Sequence, residues 1–76
     1  MKWRRLGPNA IIDDTRTYRI FKTERTDGWI IYHCHYAPNE RYRETLTVWS
    51  TDEAEGAGAI KAKAEAHRRS RNKDGA

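Results

Sequence analysis

Seventy-six residues make one domain, and a chain this short hides only about 60% of the surface its unfolded form exposes, so its core is thin. Charged residues are 34% and hydrophobic ones 37%, with a formal charge of +4 that leans toward anionic partners. The lone Cys34 excludes an intramolecular disulfide, and no apolar run approaches the roughly 18 residues of a membrane span.

Lys2, Arg4 and Arg5 resemble the start of a signal peptide, but Gly7-Pro8-Asn9 follows where an apolar stretch belongs. The expected setting is therefore cytoplasmic and reducing. Three Trp, four Tyr and one Phe offset the lean hydrophobic content, because each aromatic buries a large area.

In chain order, Met1 to Leu6 is a basic segment carrying Trp3, broken at Gly7-Pro8-Asn9. Ala10-Ile11-Ile12 suits a short edge strand ended by Asp13-Asp14. Thr15 to Thr23 is rich in strand-favouring Thr, Tyr, Ile and Phe. Asp27-Gly28 then marks a hairpin into a second long strand, Trp29 to Tyr36. After a turn at Ala37-Pro38-Asn39-Glu40, a third long strand runs from Arg43 to Trp49.

Ser50-Thr51-Asp52-Glu53 fits a capping box, with Ser50 as the cap and Trp49 and Ala54 spaced as a hydrophobic staple. The helix extends to about Ser70, acidic at its start and closed by His67, Arg68 and Arg69, as the macrodipole favours. Ala54, Ala57, Ile60, Ala64 and His67 form its stripe. Gly56 and Gly58 weaken a helix but permit close approach to a sheet. The expected plan is α+β: a three- or four-stranded antiparallel β-meander packed against one C-terminal α-helix. The domain spans residues 1–70, with a disordered basic tail over 71–76.

Alternation sorts the strand residues into two faces. Tyr18, Ile20, Ile30, Tyr32, Cys34, Leu46 and Val48 are uniformly apolar and belong under the helix. Arg19, Phe21, Trp29, Ile31, His33, His35, Arg43, Thr47 and Trp49 mix aromatics, histidines and arginines. That second face is the candidate site. Arg19, Arg43, His33 and His35 suit phosphates or base edges, and Trp29 and Phe21 suit stacking on bases. Lys2 and Arg4 at one end of the chain, and Arg68, Arg69 and Arg71 at the other, are further candidates for phosphate contact. The competing reading folds Met1 to Ile12 over this face, with Trp3, Ile11 and Ile12 packing on Phe21 and Ile31.

His33 and His35 share a face but lack a third ligand at sensible spacing, so no metal is expected. Cys34 faces the core, where a thiol is inert. With no glycine-rich phosphate loop and no nucleophile elbow, neither a cofactor, a small-molecule substrate nor enzymatic activity is expected.

Tyr18-Arg19-Ile20, Gly28-Trp29-Ile30-Ile31-Tyr32 and Leu46-Thr47-Val48-Trp49-Ser50-Thr51-Asp52-Glu53-Ala54, followed by an alanine-rich helix, resemble small phage and prophage proteins of unknown function. The plan is also similar to the arm-binding domains of phage integrases and to AP2-type domains. That resemblance implies a sheet, rather than a helix, presented to DNA. Trp29 and Ile31 depart from it by making the face more apolar than groove reading needs. The expected function is a small non-enzymatic DNA-binding protein of phage type. The alternative is a protein-interaction module or homodimer that uses the aromatic face.

Overall fold

The computed structural model describes the backbone of residues 1–75 and the side chains of residues 1–71. Five strands precede one helix: β1 Trp3–Gly7, β2 Ala10–Asp13, β3 Tyr18–Glu24, β4 Ile30–Tyr36, β5 Glu44–Ser50 and α1 Glu53–Gly75. All five strands form a single antiparallel sheet in the order β1-β2-β3-β4-β5, so each strand pairs only with its neighbours in sequence. The fold is α+β as expected, but the sheet has five strands rather than three or four.

The extra strand comes from the N-terminal segment. Pro8-Asn9 turns the chain so that Gly7 pairs with Ala10, Arg5 with Ile11 and Trp3 with Asp13. Met1 to Ile12 therefore extends the sheet sideways instead of folding over its second face. Ala10-Ile11-Ile12 lies between β1 and β3 and is not an edge. Asp13 organises the next turn from a fully buried position. Its Oδ1 accepts from the Tyr18 amide at 2.9 Å, and its Oδ2 accepts from the Thr15 amide and hydroxyl. Arg16 closes that turn at φ 62°. At the β3–β4 hairpin, Gly28 takes φ 92°, as Asp-Gly turns require. The Asp27 carboxylate beside it accepts from Arg25 and from the Trp29 amide.

α1 lies over β4 and β5 and reaches β3, leaving the β1–β2 hairpin uncovered on that side. Tyr18, Ile20, Tyr32, Cys34 and Tyr36 meet Ile60 and Ala64 in the core, with Leu46, Val48, Ile30 and Ala57 packed around them. This is the apolar face that alternation assigned to the helix. The helix stripe differs in one position. Ala54 is exposed and Gly56 is buried, because the Tyr32 ring occupies the space where a side chain at 56 would stand.

The helix cap is also two residues later than expected. β5 continues through Ser50, so Asp52 becomes the cap, its Oδ1 accepting from the Glu55 amide at 2.9 Å. Ser50 Oγ instead accepts from the Asp52 amide at 3.0 Å. No staple forms, since Trp49 points to the opposite face and Ala54 to solvent. Glu53 is free to pair with Lys22 at 2.8 Å, tying the helix start to β3.

α1 runs beyond the expected end near Ser70. Ala76, the last residue of the expected disordered tail, lies outside the described residues. A helix of 23 residues is about 34 Å long, against about 23 Å for a seven-residue strand, so its last turns overhang the sheet. No helix among the described residues is long and apolar enough to cross a membrane.

Candidate nucleic-acid interface

Partners in an antiparallel ladder point to the same side, so the register defines the face opposite α1 row by row. One row runs Arg4, Ile12, Arg19, His35 and Thr45 across the five strands. The next runs Ala10, Phe21, His33 and Thr47, and a third holds Thr23, Ile31 and Trp49. Alternation extends this face to Lys2 before β1, Trp29 before β4 and Arg43 before β5. No other helix or strand of the described chain packs across it.

Its aromatic groups form two clusters. The Phe21 and His35 rings meet edge to face at 5.4 Å, and the His33 and His35 rings stack at 6.4 Å. Trp29 and Trp49 meet edge to face at 6.3 Å and are 42% and 51% exposed. Ile12 lies between Arg4 and Arg19, only 3% exposed yet outside the helix-side core.

The charge on this face is mainly positive, with Asp14 set opposite Lys2 at one margin, its amide donating to the Lys2 carbonyl at 2.9 Å. Among the described residues, Lys2, Arg4, Arg19 and Arg43 have no acidic partner. Pairing with Ile30 and Tyr36 turns Glu24 and Glu44 to the helix side, and Asp52, Glu53, Glu55 and Glu65 belong to the helix or its cap. Asp14, Asp27 and Glu40 lie in the turns and loops at its two ends. Asp27 is held by Arg25 at 2.9 Å, which keeps its carboxyl below the ordinary range. Arg25 in turn lies over the Trp49 ring at 5.3 Å.

Lys2, Arg4, Arg19, Trp29, His33, His35 and Arg43 thus come together on one surface. Arg68, Arg69 and Arg71 do not join them: they sit on α1, across the sheet. Arg71 lies 5.2 Å over the Tyr36 ring and 5.1 Å over the Tyr42 ring. Sequence reasoning placed Phe21 and Trp49 on this face, weighing Phe21 with the binding residues and giving Trp49 no binding role. Trp49 carries both strand parity with Thr47 and staple spacing with Ala54, and the structure follows the parity.

The helix side carries two other features. His67 Nδ1 lies 2.8 Å from the Tyr18 hydroxyl, while Nε2 bonds Glu44. An imidazole protonated on Nε2 satisfies both contacts, donating to Glu44 and accepting from Tyr18. Burial pushes the Tyr18 phenol up to about 12, so the hydroxyl keeps its proton. The Tyr42 hydroxyl, first, and His67 hold the Glu44 carboxyl below its usual value. This acid–imidazole–hydroxyl line fastens α1 to β3 and β5; the Tyr18 hydroxyl at its end belongs to a residue 2% exposed.

The second feature is a groove of about 320 Å³ where the uncovered β1–β2 hairpin diverges from α1. Ile11, Ala57 and Ile60 line it between Arg5, Lys22 and Lys61. Arg5 is tied to the carbonyls of Gly7 and Pro8, and Lys22 to Glu53 and Glu24. Among the described residues no group of three or more potential metal ligands occurs. Comparison with known proteins finds no matching family model, curated protein or solved structure.

Proposed function

We propose that this chain is a small non-enzymatic nucleic-acid-binding protein, with DNA as the leading ligand, bound across the open face of the sheet. Arg19, Arg43, Lys2 and Arg4 hold phosphates, while His33, His35 and Trp29 face the bases. One observation carries this reading: an uncovered sheet surface holds four unpaired basic side chains and two exposed tryptophans, and its acids are confined to the turns. The resemblance to integrase arm-binding and AP2-type plans, and to phage proteins generally, supports the same surface, because those plans present a sheet to DNA.

Fluorescence anisotropy of labelled oligonucleotides across a salt series tests the proposal. Affinity should fall steeply with salt, and Arg19→Ala should weaken binding to all sequences and flatten the log–log slope by about one unit. Binding that ignores salt, or no binding at low salt, refutes it. The Trp29–Trp49 pair also favours a second reading, docking of a protein partner or a second copy. Apolar association of that kind would persist at high salt.

A further inference from the structure

Resting on that nucleic-acid reading, we infer that the ligand is an unpaired strand, laid across the β-strands with its backbone at the basic end of the face and its bases stacked on the aromatic end. The residues divide lengthwise. Arg4, Arg19 and His35 share one cross-strand row, with Lys2 and Arg43 beyond it. In the other direction come Phe21 with His33, then Ile31 with Trp49, then Trp29. Successive rows are two residues apart, about 6.6 Å. Phosphates on the basic rows therefore leave their bases above the aromatic rows.

A duplex does not fit this layout. Four inter-strand spacings make the sheet about 19 Å broad, whereas the major groove is about 12 Å wide. The full breadth of the sheet cannot lie in the groove, so Arg4 and Arg43, on its opposite margins, cannot both engage there. The aromatic end is also the wrong chemistry for groove reading. Ile31, Phe21 and the exposed ring faces of Trp29 and Trp49 offer few hydrogen-bond donors to base edges. Bases with free faces can stack on such rings whatever their sequence.

The test is tryptophan fluorescence in a Trp3→Phe background, because Trp3 packs on the helix side and would dilute the signal. The probes are twelve-nucleotide oligothymidylate, its oligouridylate counterpart and a mixed-sequence duplex of twelve base pairs. The single strands should quench the remaining tryptophans, bind more tightly than the duplex and release with salt. Trp49→Ala should weaken single-strand binding about fivefold or more and leave the salt slope unchanged. Trp49 is half exposed, so its loss spares the core. The two single-stranded probes separate DNA from RNA as the source. A duplex bound as tightly as the single strands, or a Trp49→Ala variant with full affinity, overturns the stacking inference while nucleic-acid binding stands. Failure of all three probes at low salt overturns the underlying reading too. Quenching that follows protein concentration without any oligonucleotide would do the same, assigning the face to a second copy.

Discussion

Gly56 and Gly58 sit two residues apart in α1 and should answer alanine with opposite signs. Alanine normally favours a helix over glycine by up to about 1 kcal/mol. At Gly58 nothing lies within 4 Å of the position the methyl would take. At Gly56 the methyl would stand 2.2 Å from Tyr32 Cε2, 2.9 Å from Cδ2 and 3.0 Å from Ser50 Cβ. Carbon atoms rest about 3.5–4.0 Å apart, so ring or helix must retreat by more than about 1 Å. Tyr32 has nowhere to go: it is 2% exposed, and its hydroxyl donates to the Glu53 carbonyl at 2.9 Å. Overpacking costs about 1–3 kcal/mol, and a lost hydrogen bond about 1 more. After the helical gain, Gly56→Ala should destabilise by about 1–3 kcal/mol. In a domain this size 1 kcal/mol moves Tm by about 4–8 °C. Thermal melts followed by circular dichroism should therefore show Gly58→Ala several degrees above wild type and Gly56→Ala several degrees below. If Gly56→Ala melts at or above wild type, the close approach of Tyr32 to the helix is wrong.

Three further outcomes are expected. Burial, with a smaller effect of Asp13, raises the Cys34 thiol from 9.0 to about 11, so a disulfide reagent at pH 8 should label it only as the protein opens; rapid labelling of the folded chain would contradict this. Asp52→Ala should cost about 1 kcal/mol in urea unfolding, and more than Ser50→Ala; the reverse order would return the cap to Ser50. Glu44 titrates below its ordinary 4.5 when folded, so its stabilisation is complete above that pH and is lost as pH falls through the lowered value. Melts between pH 6 and the acid limit should accordingly lose less stability in Glu44→Gln than in wild type, and an unchanged acid slope would dismiss the Glu44–His67–Tyr42 contacts.

The three long strands were legible because burial on one side writes itself as alternation. Tyr18 and Ile20, Tyr32 and Cys34, and Leu46 and Val48 all fell on the helix side, and the opposite parity correctly grouped Arg19, His33 and His35. β1 was not legible. Trp3-Arg4-Arg5-Leu6 has no β-branched residue, and its extended form follows from pairing with β2 across Pro8-Asn9. The cap was misplaced because Ser50-Thr51-Asp52-Glu53-Ala54-Glu55 contains two overlapping cap patterns, and only the length of β5 chooses between them. Local pattern also could not separate the arginines of the two ends. Arg4 and Arg71 both lie in basic runs, but the sheet lies between them.

Strictly sequential strand pairing, with the helix last, also favours assembly in chain order. Each hairpin closes a short loop, so β1 to β5 can zip together in the order of synthesis, with contacts of low sequence separation. Until α1 arrives, however, Tyr18, Tyr32 and Cys34 have no cover. A nascent chain that has released only its strands is a sheet with an exposed apolar face, the kind of intermediate prone to aggregate. The helix is therefore the only cover this sheet face receives among the described residues, and chains truncated ahead of Ile60 should accumulate as insoluble protein.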